Sequence, residues 1–298
     1  MKLSDYFRRE RIIRDCSFEA LGLSNSDPGV AFLSFFDNNK YYKEICENRL
    51  ISGIICEPKM ADFFKRKNLG VVISANPRKT YFKLHNFLSN NEIYYPKLCK
   101  NRIGKDCKIS KNASLSEFGI IIGNNVTIED FVRIYGPCYI GDNTIIHAGV
   151  SIGGAGFEFK RYQKDILDVV HCGSVSIGHS AIIWENVTIH RAVYPWDKTV
   201  VGNWARIGAQ SHVDHGAKIK DYAEICAGSV ISGRVSIGEH AFLGPGCVVA
   251  NRISVAPNTK VLLGSVVTKN VDEGQVISGN FAIEHAKHLC RVKEDSNI

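Results

Sequence analysis

An aliphatic residue recurs every six positions across the second half of this chain. Val201, Ile207, Val213, Ile219, Ile225, Ile231, Ile237, Leu243, Val249, Val255, Val261 and Val267 make twelve in succession without a miss. Four residues after each stands a residue that is nearly always small or β-branched, such as Ala205, Ser211, Ala217, Ala223, Ser229 and Ala241. The same beat runs through Ile122, Ile128, Ile134, Ile140, Ile146 and Ile152, and again through Ile177, Ile183 and Ile189. Ile103, Ile109 and Leu115 carry it before a one-residue slip. A helix repeats its apolar face at about 3.6 residues and a lone strand at 2, so neither produces this pattern. Six residues make one short strand and one tight corner, and three such units close a triangular coil of about 18 residues. The aliphatic side chain points inward on each face, and the small one fits the crowded corner. Each coil then bonds to the next, which predicts a parallel β-solenoid.

The beat fails at two places. Residues 154–174 interrupt it after Ile152, and residues 193–198 carry Pro195 where an aliphatic residue is due. Insertions leave a solenoid as loops, and loops on a rigid frame are places for function. Composition sets a boundary near residue 100. Residues 1–100 hold only 4 of the 26 glycines but 15 of the 29 aromatics. They carry 17 basic and 11 acidic residues, a net of +6 out of the whole-chain +7. The reading is a small α/β domain over 1–100, a β-solenoid over 101–275, and a turn with a short C-terminal helix over 276–298 that covers the open end.

Several function classes fall away. Outside the first third the charge is nearly balanced and there is no basic stripe, so no nucleic acid partner is expected. No run approaches the ~18–20 apolar residues of a membrane span. The start, MKLSDYFRRERIIRD, has no apolar core for a signal peptide. The ten cysteines form no CxxC pair and read as free thiols in a reducing cytoplasm.

Among the histidines of the repeat region, His212 and His215 stand out in the run Gln-Ser-His-Val-Asp-His-Gly over 210–216. His215 follows the inward Val213 by two residues, so it should project from the solenoid. A histidine there suits general-base work, because its ordinary pKa lies near 7. Asp214 or Asp197 would orient the ring. No two histidines are five apart, which argues against the three-histidine zinc site of some trimeric solenoids, and no metal is expected.

The chain resembles the hexapeptide-repeat, left-handed β-helix proteins, and the left hand is taken from that resemblance. Gly153-Gly154-Ala155-Gly156-Phe157-Glu158-Phe159, Val187-Thr188-Ile189-His190-Arg191 and Gln210 to His215 resemble the UDP-3-O-acylglucosamine N-acyltransferases of lipid A synthesis. The resemblance implies that His215 is the catalytic base. It also implies that a backbone N–H one coil later, at Gly233, forms the oxyanion hole. Leu33 to Tyr41 resembles that family's uracil-binding segment, which assigns the base-stacking rings to Phe35 and Tyr41 and the edge-reading amide to Asn38. Further substrate contacts are implied at Phe157, His171, His190 and Arg191, and donor contacts at Arg252 and Lys269.

The chain departs from that family in four respects. His190 stands where an aspartate is usual, Pro195 and Trp196 extend a loop, Asn251-Arg252 replaces a late histidine, and the C-terminal helix is short. These departures fit better the related N-acyltransferases of surface-polysaccharide synthesis, which act on dTDP- or UDP-linked amino-deoxy sugars. The expected reaction moves an acetyl or short 3-hydroxyacyl group from acyl-CoA to the sugar amine. The alternative is the lipid A enzyme itself, using acyl carrier protein. No covalently bound cofactor is expected, and the resemblance implies a homotrimer.

Overall fold

The computed structural model describes residues 1–64 and 68–279, with Glu284, Lys287 and Cys290. The chain winds as a left-handed parallel β-helix built on three ladders of eight or nine short strands. Successive coils stack in the 18-residue register of the sequence, as in Val213 against Ile231, Ile231 against Val249 and Val249 against Val267. All twelve aliphatics of the unbroken run are at most 3% exposed. They form one continuous core with the inward corner residues Ala205, Ala217, Ala223, Val235 and Ala241. The ladder continues through Val276–Ile277, two residues beyond the expected 275. The expected C-terminal helix lies, but for Glu284, Lys287 and Cys290, outside the described residues.

The corners are made differently from what the glycine count suggests. The residue before each inward small residue turns through the left-handed region, as at Gly216 (φ +70°), Gly228 (φ +70°) and Gly246 (φ +70°). Yet Trp204, Gln210, Tyr222, Arg234, His240 and Arg252 hold the same conformation with full side chains. The glycines after the aliphatic position are needed for another reason. At Gly238 a Cβ would stand 2.3 Å from the Pro257 backbone nitrogen of the next coil.

The first domain is a five-stranded sheet with the order Ile12–Arg14, Gly70–Ile73, Ile51–Cys56, Phe32–Phe36, Ala20–Leu21. All neighbours are parallel except the first pair. Helix Pro77–Leu88 covers one face. It starts with proline in its first turn and an Asn76 side chain that accepts from the Lys79 N–H at 3.1 Å. Tyr81, Phe82, Leu84 and Leu88 on its buried face pack with Leu33, Ile55 and Val72 of the sheet.

Both breaks in the repeat are docking arms for this domain. The first contains the hairpin Phe159–Tyr162 and Asp165–Asp168. Asn86 donates to Asp168 O at 2.7 Å and accepts from the Val170 N–H at 3.0 Å. The second brings Trp196, whose indole N–H donates to Leu21 O at 2.8 Å, and Tyr194, whose hydroxyl meets that of Tyr81 at 3.0 Å. Val169, Val193 and Tyr194 join the same hydrophobic core as Leu33 and Tyr81.

His85 locks the helix to the first arm and ties this contact to pH. It is fully buried. Its Nε2–H donates to Val170 O at 2.7 Å, and its Nδ1 accepts from the Tyr94 hydroxyl at 2.8 Å, which fixes the neutral ring. Burial pushes its pKa down to about 4. The unfolded chain binds this proton below the ordinary histidine pKa of about 6.5, while the folded one refuses it until about 4. The share of stability due to this group is therefore complete above pH 6.5 and is lost as pH falls toward 4, reaching about 3 kcal/mol. Denaturant midpoints at pH 7.5 and 5.0 should drop less between the two pH values in His85→Gln than in the parent. An unchanged drop would rule out His85 as the source.

Candidate active site

His215 leaves the solenoid face as its position predicts, but it is not exposed to solvent. It is 7% exposed, because the first arm folds over it. Asp214, next in the chain, orients the ring: its Oδ1 is 3.0 Å from His215 Nδ1 and accepts the His215 backbone N–H at 2.7 Å. His190 Nδ1, one coil earlier, approaches the same oxygen at 3.1 Å. Burial alone would raise the Asp214 carboxyl, but the hydrogen bonds from His190 and His215 outweigh it and hold the group well below the ordinary range. Asp197, the other candidate, is committed elsewhere, to Lys218 Nζ at 2.7 Å. An ionised Asp214 keeps the proton on Nδ1 and leaves Nε2 as the basic nitrogen.

Nε2 faces two groups. The Glu158 carboxylate from the first arm lies 3.4 Å away and is itself paired with Lys160. On the other side is the Gly233 backbone, where an added Cβ would stand 2.7 Å from Nε2. Among the described residues no protein group accepts from the Gly233 N–H, while its carbonyl accepts from Arg252 N at 3.0 Å. Gly156 closes the site from below. A Cβ there would meet Asp214 Oδ1 at 2.8 Å and both His171 Nε2 and His215 Nδ1 at 3.1 Å.

A cleft of about 220 Å3 runs from His215 to the first domain. Phe35, Tyr41 and Arg78 line it from the first domain, and Tyr194, Arg234 and Arg252 line it from the solenoid. Tyr41 spans the join. The Lys40 ammonium, with Arg252 adding to it, lowers the Tyr41 phenol. Arg78 sits over the Phe35 ring at 5.7 Å and pairs with Asp37 at 2.9 Å. The cleft thus joins aromatic faces, cations and a histidine oriented by a carboxylate.

Two family models match: bacterial transferase hexapeptide (six repeats) over residues 119–154 and hexapeptide repeat of succinyl-transferase over 100–129. A UDP-3-O-acylglucosamine N-acyltransferase from Coxiella burnetii is 25% identical over 237 residues, covering 71% of this chain and 67% of the relative. One of the same name from Hahella chejuensis is 28% identical over 153 residues, 51% of this chain and 43% of the relative. The chain is a hexapeptide-repeat acyltransferase. The solved UDP-N-acetylglucosamine acyltransferase from Campylobacter jejuni shares the fold of this acyltransferase at TM-score 0.54 and 21% identity, covering 65% of this chain and 79% of that one. The one from Bacteroides fragilis shares it at TM-score 0.53 and 22% identity, covering 67% and 75%.

In this acyltransferase the structure brings His215, Gly233, Phe35, Tyr41 and Arg252 to one cleft. The other expected contacts lie elsewhere. Asn38 caps the short turn Asn39–Tyr41 by accepting from the Lys40 N–H at 3.0 Å, and it does not line the cleft. Phe157 is 82% exposed and leans on Phe159, because the chain turns there and sends its neighbour Glu158 inward instead. Arg191 is pinned to Gly153 O and lies near Tyr95 and Cys172. Lys269 is exposed on the solenoid surface and away from the cleft wall. His190 and His171 act behind the cleft. His190 touches Asp214, while His171 packs edge-on against His215 with ring centres 5.6 Å apart. His171 donates from Nδ1 to Val169 O at 3.0 Å, which leaves Nε2 buried without a partner among the described residues. Burial, aided by the His215 charge, pushes its pKa down to about 4.

Several cleft residues escaped the sequence reading, among them Arg78, Glu158, Tyr194 and Arg234. Arg234 had a readable signal, since 252 minus 18 is 234 and both hold the left-handed corner in successive coils. Glu158 stood inside the quoted glycine-rich run, but alternation about a turn does not say which side chain enters. Tyr194 lay in an arm whose docking partner is more than a hundred residues away in sequence.

Proposed function

We propose that this acyltransferase moves an acyl group from acyl-CoA to the amine of a dTDP- or UDP-linked amino-deoxy sugar, with His215 as general base. One observation carries the reading: the Asp214-oriented His215 and the aromatic end at Phe35 and Tyr41 line a single cleft. The nucleobase stacks on the aromatic end. Arg78 and Arg234 along the cleft suit the diphosphate, and Arg252, expected at the donor, lines the same cleft. The amine sits at His215 Nε2, which takes its proton as nitrogen attacks the thioester carbonyl. The oxyanion that forms is held by the Gly233 N–H, and the thiolate of the donor leaves. Glu158, 3.4 Å from Nε2, favours the imidazolium produced in this step. The nitrogen attacks directly, because a thioester is already activated, and no cysteine has to act.

The alternative is the reaction the relatives are named for, UDP-3-O-acylglucosamine N-acyl transfer, with acyl carrier protein as the donor. A panel of acyl-CoAs and acylated carrier protein, crossed with UDP- and dTDP-amino sugars and read by free-thiol release, separates the two. Turnover with acyl-CoA and an amino sugar is the expected result. Release only from the carrier protein would move the assignment to the lipid A reaction. Light scattering of the full chain checks the homotrimer that belongs to the same reading.

Tyr41→Ala tests the nucleotide end. Stacking of a base on a ring is worth about 1–3 kcal/mol, so KM for the nucleotide sugar should rise ~10-fold or more while kcat changes little. An unchanged KM would take Tyr41 out of the base site.

A further inference from the structure

His190, His212 and Asp214 place one ligand atom each within 4.8 Å of one another on the face beside His215, all three half-buried. They come from two neighbouring coils, with Thr188 paired to His212 and Ile189 to Val213, so the solenoid backbone holds their spacing. The His190 and His212 rings meet edge-on with centres 4.8 Å apart. Among the described residues the His212 ring makes no hydrogen bond, so one of its nitrogens is available. His190 Nδ1 and Asp214 Oδ1 are already 3.1 Å apart. Ligands on a tetrahedral zinc ion at 2.0–2.1 Å stand about 3.3 Å from one another. One edge of the tetrahedron is therefore in place, and a rotation of His212 supplies the third ligand. Two imidazoles and a carboxylate suit Zn2+ and its transition-metal neighbours far better than Mg2+ or Ca2+, which want oxygen ligands.

We propose that His190, His212 and Asp214 form a binding site for a divalent transition metal of the Zn2+ class, and that its occupancy shuts the active site down. The inhibitory half rests on the acyl-transfer reading with His215 as base; the binding half does not. Metal on Asp214 competes with His215 Nδ1 for the oxygen that orients the ring, 3.0 Å away. A dication this close also opposes the positive charge that His215 acquires when it takes the substrate proton.

The test uses the full chain, stripped with chelator and titrated with Zn2+ by calorimetry, beside His212→Gln. His212 is the one member of the three that does not touch Asp214 or His215 by a hydrogen bond, so its replacement should leave turnover without metal unchanged. One Zn2+ per chain is expected, and the variant should bind at least ~100-fold more weakly, since even outer-shell changes cost 10–100-fold. Saturating Zn2+ should slow thiol release by the parent at least ~10-fold and leave the variant untouched. Equal affinity in the two proteins, or no saturable site up to about 1 mM, overturns the site. Binding that depends on His212 but leaves turnover intact keeps the site and overturns the inhibition. Absence of acyl transfer from any donor sinks the acyl-transfer reading and leaves the calorimetric test of the site standing.

Discussion

His215→Ala is expected to fold normally and to lose ~10²–10⁴-fold in kcat, the usual range for removing a general base. That loss corresponds to about 3–5 kcal/mol of barrier. The fold should survive because the histidine contributes to the coil stack through its backbone: His215 O accepts from Arg234 N at 2.9 Å whatever the side chain. Removing the ring leaves Asp214 buried but still partnered by the backbone N–H of residue 215 at 2.7 Å and by His190 at 3.1 Å. The carboxylate is therefore not orphaned, and the thermal midpoint should move little. Thiol release under saturating acyl-CoA and amino sugar, with the midpoint measured alongside, separates chemistry from folding. Near-normal turnover in a folded variant would end the assignment of His215 as base. Asp214→Asn should lose less. The amide can still take a hydrogen bond on its oxygen but no longer stabilises the imidazolium by charge, so a slower enzyme with the same nucleotide-sugar KM is expected.

The solenoid was legible because its physics is local and periodic. Each of the twelve aliphatics from Val201 to Val267 sees the same environment one coil up and one coil down, and all are buried as the spacing requires. The same register carried His215 to Gly233 by arithmetic and would have carried Arg252 back to Arg234. The active-site lining from outside the solenoid was not legible in this way. Glu158 and Tyr194 enter through the two breaks in the beat, where no period exists, and their positions depend on long-range contacts such as Asn86 with Asp168 and Tyr81 with Tyr194. Asn38 shows a different limit. A short polar side chain beside a turn competes for its own backbone, and here its oxygen caps the turn that presents Tyr41. The pairing of His190 with Asp214 crosses 24 residues, because the second break at 193–198 adds six to the usual 18 of that coil, so the plain period does not place the two side by side.

Gly233→Ala should damage catalysis through a single methyl group. Its Cβ would lie 2.7 Å from His215 Nε2, 2.8 Å from Cε1 and 3.1 Å from Asn251 Oδ1. Two of these contacts are with ring atoms and closer than carbon normally tolerates, so the imidazole has to move. It has little room: Asp214 Oδ1 holds Nδ1 at 3.0 Å, Gly156 packs beneath it, and Glu158 stands 3.4 Å from Nε2. Displacement of a catalytic group by about 1 Å can cost ~10²-fold, and the same methyl crowds the N–H assigned to the oxyanion. A fall in kcat of ~10²-fold or more is expected with KM for the nucleotide sugar nearly unchanged, because the added methyl meets His215 and Asn251 rather than Phe35 or Tyr41. Gly233 is not in the left-handed region, so alanine meets no backbone penalty there. Gly228→Ala makes the informative contrast. At φ +70° and with nothing within 4 Å of its added Cβ, that variant should lose about 1–2 kcal/mol of stability and keep its turnover. If glycine is needed at 233 only for the solenoid corner, the two variants will resemble each other in stability and in rate. If it is needed because backbone must touch His215, Gly233→Ala will be stable and slow, and Gly228→Ala less stable and fast.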